Sequence, residues 1–236
     1  MFDYTALREQ AFQANLEIQR QGLALYTWGN VSAFDSAAGV FAIKPSGVPY
    51  DALTPDSMVV IDLDGKIIRG DLRPSSDTET HRMLYREFTG IGGITHTHST
   101  YAVAWAQAAK SIPVFGTTHA DHSVEKIICT PFLDEGAVKG DYERETGKLI
   151  IDTFTKLKIN PLHLHMVLVA GHGPFTWGAD AAQSVYNAAV LEEISKMAYI
   201  TLQLNTHADA LPPHIISKHY ERKHGPAAYY GQTSNP

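Results

Sequence analysis

Gly92-Gly93-Ile94-Thr95-His96-Thr97-His98-Ser99 is the stretch on which the reading of this chain turns. A short run opened by two glycines closes on two histidines one residue apart. In a strand, positions i and i+2 share a face, so His96 and His98 can present two imidazoles to one ion. A second apolar run, Val167-Leu168-Val169-Ala170, is followed two residues later by His172. Three imidazoles from two strand ends describe a metal centre with an open position, the arrangement with which zinc polarises an oxygen substrate. The carboxyl ends of strands are also where α/β folds tend to place their chemistry.

Other segments extend the pattern. Asp77 would complete an N3O donor set for Zn²⁺ or another divalent transition metal, or would simply cap the helix it precedes. Ser75-Ser76 ahead of that helix and Lys44-Pro45-Ser46-Gly47 after a strand can cradle an anion with hydroxyls and backbone N–H groups, and Asn30 can add an amide. Asp121, in the polar cluster Thr117-Thr118-His119-Ala120-Asp121, is either a general base or a turn residue. Tyr229-Tyr230 offers a phenol for acid/base work or a hydrophobic anchor for the tail. His163-Leu164-His165 repeats the H-x-H spacing but lacks a glycine-marked turn, so it reads as surface loop or core filling. Met197, Tyr199 and Ile200 read as core or interface packing, and Glu192-Glu193 as a solvated face.

The chain has 236 residues, a formal net charge of -6 and one cysteine. That length fits one domain, residues 1–236, with a sizeable core. The negative balance argues against nucleic acid or an anionic membrane as partner, so a phosphate must be held by local donors. A lone Cys129 fits a reducing compartment. The opening Met1-Phe2-Asp3-Tyr4 does not read as a secretory signal, no apolar run approaches a membrane span, and a cytoplasmic setting is expected.

Helical spacing of Leu7, Ala11, Ala14 and Ile18, with Gly22 beyond, predicts a first helix. Strands are expected at 40–43, 58–63, 66–68 and 112–115, with a hairpin at Asp64-Gly65. Helices are expected at 78–87, 100–109, 142–157, about 179–204 and about 215–223. The alternation indicates one mixed α/β domain.

Taken together, Gly29-Asn30-Val31-Ser32, Lys44-Pro45-Ser46-Gly47, Pro74-Ser75-Ser76-Asp77-Thr78, His96-Thr97-His98-Ser99, Gly116-Thr117-Thr118-His119-Ala120-Asp121, His172-Gly173-Pro174-Phe175 and Arg222-Lys223-His224-Gly225 through Gly231-Gln232 resemble the class II aldolase superfamily. Within it they are most similar to the L-ribulose-5-phosphate 4-epimerase branch, from about residue 7 to Gln232. The resemblance implies a three-layer α/β/α sandwich with a central, largely antiparallel sheet. It implies a homotetramer of cyclic fourfold symmetry with active sites at subunit interfaces. It assigns His96, His98, His172 and Asp77 to a zinc ion, with Mn²⁺ or Co²⁺ also compatible with such donors. Asn30, Ser46, Gly47, Ser75 and Ser76 would bind phosphate, with Lys44 close by. Asp121 and Tyr230 would be the acid/base pair, Tyr230 coming from a neighbouring subunit, and Thr117, Glu143 and His219 would modulate the site.

The implied chemistry interconverts L-ribulose 5-phosphate and D-xylulose 5-phosphate, as in arabinose or ascorbate breakdown. The C4 hydrogen is not adjacent to the carbonyl, so cleaving and remaking C3–C4 replaces simple proton abstraction. An aldolase that releases its fragments is the nearest rival, and Asp77, where sugar-phosphate aldolases tend to carry glutamate, favours the epimerase. An adducin-like module without chemistry would not need the three histidines with Asp77, Asp121 and Tyr230. His122-Ser123-Val124-Glu125, Pro131 and His163-Leu164-His165 depart from the family pattern beside the acid/base segment and bear on substrate choice.

Overall fold

The structure, a computed structural model, describes residues 3–226, 228 and 229. Helix α1 (Thr5–Arg20) leads into strands β1 (Asn30–Asp35) and β2 (Val40–Ile43), followed by β3 (Val59–Asp62) and β4 (Ile67–Arg69). Helix α2 (Thr78–Glu87), β5 (Gly93–His96), α3 (Thr100–Gln107) and the short α4 (Thr117–Ala120) and α5 (Glu135–Lys139) come next. The chain closes with α6 (Tyr142–Leu157), β6 (Met166–Val169), β7 (Gly173–Gly178), α7 (Ala181–Leu204) and α8 (Pro213–His224). The strands form one sheet in the order β4-β3-β2-β1-β5-β7-β6, and every named pair is antiparallel.

Strand alternation divides the core in two. Val31, Ala33, Val40, Ala42 and Val60 pack with Leu7, Ala11 and Ile18 of α1 and with Val185 and Ala188 of α7. Phe41, Ile43, Val59, Ile61, Ile94, Phe175 and Trp177 pack on the other side with Leu84 of α2, Phe88 at its C-cap, and Ile150 and Phe154 of α6. Helices on both faces of the antiparallel sheet give the expected three layers. Buried Asn15 fixes α1 to the sheet. Its amide donates to the Val31 carbonyl at 2.8 Å, and its oxygen accepts from the Val31 N–H at 2.9 Å.

The two glycines that open β5 are there for closeness. A Cβ on Gly93 would lie 2.4 Å from backbone atoms of Asp180 and Ala181, and one on Gly92 would lie 2.1 Å from the Ala179 carbonyl oxygen. Only hydrogen at these positions lets β5 lie against the start of α7.

Several elements differ from the sequence reading. Residues 112–115 are not a strand, because Pro113 interrupts the ladder and only Ile112 bridges, to Ile127. Asn30–Asp35 is a strand that periodicity did not reveal, since its inward positions Asn30 and Ser32 are polar. Gly173–Gly178 is likewise a strand, with Pro174 one residue beyond the β5 pairing. Thr117–Ala120 forms a short helix, and Asp121 sits in the turn at its C-cap. Met197, Tyr199 and Ile200 are exposed, which excludes a core role within this chain. No helix among the described residues is long and apolar enough to cross a membrane.

Candidate active site

Register builds the site. Asn30 of β1 pairs with His96 of β5, and His96 pairs with Phe175 of β7, so three side chains form a row across one face of the sheet. The His96 ring stacks on Phe175 with centroids 4.2 Å apart. Its Nδ1 lies 2.8 Å from the Pro174 carbonyl oxygen, so Nδ1–H donates and Nε2 keeps its lone pair. His98, just past the strand end, places its Nε2 3.1 Å from the Nε2 of His96. His172, in the turn between β6 and β7, brings its ring centroid to 4.7 Å from that of His96 and 5.4 Å from that of His98.

One donor nitrogen from each of the three histidines lies within 4.8 Å of the others, a geometry that could hold a metal ion. Among the described residues this is the only such group. The donor chemistry fits a divalent ion. His172 Nδ1 and Asn30 Oδ1 are buried without a hydrogen-bond partner at this same place. Burial, with a smaller contribution from His96 and against the pull of Asp77, lowers the pKa of His98 and brings that of His172 to about 4, so these two rings are neutral lone-pair donors near pH 7.

Asp77 stands at the N-cap of α2 but makes no capping bond with its side chain. Its Oδ2 instead accepts from the Asn30 amide at 2.7 Å, across from the histidines. Burial pushes its pKa up, but the imidazoles of His96, His81 and His172 and the Asn30 bond outweigh it, leaving the carboxyl below its ordinary range. Asn30 therefore orients the carboxylate.

The anion cradle joins the same cavity, of about 420 Å³, whose lining includes Asn30, Lys44, Ser46, Ser75 and the three histidines. The two loops are strapped together, since Ser75 N–H donates to the Lys44 carbonyl and Ser46 N–H to that of Arg73. Gly47 and Ser76 also line it. Lys44 is buried over the Tyr50 ring, 5.0 Å from its centroid, and burial pulls its pKa down to about 8. A larger groove, about 700 Å³, runs between α1 and α7 but gathers no donor cluster. Chemistry, not volume, locates the site.

The remaining candidates lie elsewhere. Asp121, Thr117, Glu143 and His219 do not line that cavity. The Asp121 carboxylate accepts from Arg222 Nε at 3.1 Å and Nη2 at 2.7 Å, and His219 Nδ1 lies 3.0 Å away. Burial alone would raise its pKa, but Arg222 and His219 hold it below the usual range. Glu143 sits in the first turn of α6 and Thr117 opens α4. Tyr230 lies outside the described residues.

Sequence reasoning missed four participants. Tyr142, beside Glu143, brings its ring to 6.0 Å from His172. Fully buried His81 faces Ser32 Oγ through Nδ1 at 2.7 Å, and that hydroxyl also meets Tyr85 OH at 2.7 Å. His81 sits one turn after Asp77, a spacing that could have flagged it. Trp28 lines the cavity. Glu192 is not a solvated side chain, because its two oxygens accept from Tyr101 and Ala102 N–H at 2.9 Å and hold the start of α3 just after His98. His163 and His165 join no donor cluster, and Leu164 between them fills the core. His122, one of the atypical residues, reaches Tyr186 of α7 at 2.9 Å.

Comparison with known proteins agrees with the architecture. Residues 9–199 match the family described as Class II Aldolase and Adducin N-terminal domain. The chain is 50% identical over 226 residues to L-ribulose-5-phosphate 4-epimerase UlaF of Salmonella paratyphi C, covering 96% of this chain and 98% of that protein. The same identity and coverage hold for L-ribulose-5-phosphate 4-epimerase UlaF of Salmonella typhi. Among solved structures, an L-fuculose 1-phosphate aldolase superposes with a TM-score of 0.77 at 20% identity, covering 92% of this chain and 95% of that one. YgbL from Klebsiella pneumoniae, described as a putative aldolase/epimerase/decarboxylase, gives 0.71 at 23% identity, covering 92% and 99%.

Proposed function

The chain belongs to the class II aldolase and adducin N-terminal domain family, and from that premise we propose that it is a metal-dependent 4-epimerase interconverting L-ribulose 5-phosphate and D-xylulose 5-phosphate. Half of its residues are identical to those of a protein named for that reaction, across nearly the full length of both. The observation that carries the reading is the shared cavity, in which His96, His98 and His172 meet the serine and glycine cradle of Ser46, Gly47, Ser75 and Ser76.

His96, His98 and His172, with Asp77, would hold Zn²⁺, or Mn²⁺ or Co²⁺, and the ion would supply Lewis-acid polarisation of the sugar oxygens. Ser46, Gly47, Ser75 and Ser76 bind the phosphate through hydroxyl and backbone donors, and protonated Lys44 adds one buried positive charge. Asn30 holds the Asp77 carboxylate in place with a 2.7 Å hydrogen bond. The C4 hydroxyl gives its proton to a base, the C3–C4 electron pair passes to C3, and C4 becomes the carbonyl carbon of glycolaldehyde phosphate. Held by its phosphate, that aldehyde turns and is attacked on its other face, and the proton returns to the C4 oxygen. Asp121 and Tyr230 serve the two faces.

Asp121 does not line the metal cavity of its own chain. The pair would be completed where copies meet in a homotetramer, with Tyr230 supplied by a neighbouring copy and Thr117, Glu143 and His219 modulating the shared site. The substrate is a pentulose phosphate and the setting cytoplasmic.

The test follows L-ribulose 5-phosphate by NMR with and without chelator. Chelator-sensitive appearance of D-xylulose 5-phosphate is expected. Free glycolaldehyde phosphate accumulating in place of the epimer would overturn the proposal in favour of an aldolase.

A further inference from the structure

The loop between α1 and β1 exposes large apolar side chains, one of which reaches the cavity. Leu25 is 59% exposed, Tyr26 77% and Trp28 52%, whereas Trp105 and Trp177 are 8% and 0%. Trp28 lines the cavity, and its ring centroid lies 6.4 Å from that of His98. An exposed indole beside a polar site is a ligand-contact signal when its backbone is held. Here it is held. Tyr50 OH donates to the Trp28 carbonyl at 2.6 Å and lies 3.1 Å from that of Gly29, and Trp28 N–H donates to Leu25 O at 2.9 Å. Gly29 adopts φ +79°, and a Cβ there would meet the His96 carbonyl oxygen at 2.8 Å. The loop is pressed against the strand that carries the metal cluster.

Tyr26 adds a second observation. It occupies φ 54°, the left-handed region that a bulky non-glycine residue seldom adopts. Its ring meets the indole edge-on, with centroids 5.7 Å apart and planes at 68°. Backbone strain is retained here in a residue whose side chain braces Trp28.

We infer that Trp28 is a wall of the active site that covers the two-carbon aldehyde phosphate between cleavage and re-addition, keeping it from escaping while its carbonyl turns. The inference rests on the epimerase reading and deepens it. Nothing is added to or removed from the balance of that reaction: C3–C4 breaks and reforms, and one proton leaves and returns. What an epimerase needs beyond an aldolase is retention. A polar wall would hydrogen-bond the carbonyl oxygen and favour one face. A flat aromatic surface excludes water and supports both faces alike, so rotation about the carbon–carbon bond stays free while the phosphate remains in its cradle.

The test uses metal-loaded wild type, Trp28→Ala and Trp28→Phe with L-ribulose 5-phosphate, counting epimer by ³¹P NMR and free glycolaldehyde phosphate by trapping. Trp28→Ala is expected to keep its metal and to raise the ratio of released aldehyde to epimer by roughly tenfold or more, with Trp28→Phe in between. A second measurement needs no variant. Because the other two indoles are buried, acrylamide quenching of wild-type fluorescence reports Trp28, and saturating substrate should reduce it. An unchanged release ratio in a folded, metal-loaded Trp28→Ala overturns the inference, as does quenching that substrate leaves unaltered. Wild type that forms no epimer refutes the epimerase reading itself, and the quenching result then still decides whether Trp28 covers the bound sugar phosphate.

Discussion

Acidifying chelated protein from pH 7 to pH 5 should reveal how His81 is held. The side chain is fully buried, and burial lowers its pKa from the ordinary 6.5 to about 3, with Asp77 offsetting part of the drop. Between those values the unfolded chain binds a proton at this position that the folded chain refuses. Stability is therefore complete above 6.5 and falls as pH drops through the interval towards the folded value. At pH 5 the gap below 6.5 corresponds to about 2 kcal/mol at ~1.36 kcal/mol per unit. His172 and His119, both lowered to about 4 chiefly by burial, add loss of the same sign. His81→Asn isolates the contribution, because asparagine keeps a group able to hydrogen-bond Ser32 Oγ but does not titrate. Urea midpoints of both proteins at pH 7 and pH 5, with chelator present, give the difference of differences. The variant should lose about 2 kcal/mol less than wild type on acidification. If it loses as much, His81 is not a neutral buried imidazole and the Tyr85–Ser32–His81 chain has been misread.

Three further outcomes follow from the geometry. His98→Ala removes one of three converging nitrogens and should strip metal from the protein while leaving its circular dichroism unchanged; full metal content on elemental analysis would refute the ligand assignment. Gly93→Ala drives a methyl into the backbone of Asp180 and Ala181 and should cost more than about 3 kcal/mol, read as a large fall in Tm; a shift of about a degree would show that β5 and α7 can separate freely. Lys44, lowered to about 8 by burial, is charged below that pH and neutral above it, so KM for the sugar phosphate should rise as pH passes upward through about 8 or somewhat higher once phosphate is bound. In Lys44→Met that rise should vanish, and a parallel rise in the variant would remove Lys44 from phosphate binding.

The parts legible from sequence are those where one residue type carries one kind of chemistry. The i, i+2 histidines, the serine and glycine cradle and His172 could be placed because imidazoles and backbone donors announce their use, and these segments converge. The partner of Asp77 could come only from the fold, since a carboxylate ahead of a helix looks the same whether it caps or faces Asn30. β1 escaped periodicity because its inward side chains Asn30 and Ser32 belong to polar networks, so alternation of hydrophobicity failed where alternation of direction held. Glu192 was misjudged for a related reason. Its partners are backbone N–H groups ninety residues away in the chain, and no local pattern encodes them. Asp121 needed the fold as well: its position in the sequence suggests a base, and only the structure shows its oxygens paired with Arg222 and His219 away from the histidine cavity of its own chain.

The transverse row of Asn30, His96 and Phe175 ties metal affinity to strand alignment. β5 is four residues long and is paired on both edges. Sliding it by a single position would turn the His96 imidazole towards α7 and leave Thr95 facing Asp77. Misaligned chains would thus be blind to the proposed ion, so supplying zinc during refolding should enrich the correctly threaded sheet, the ligand acting as proofreader of the fold that houses it.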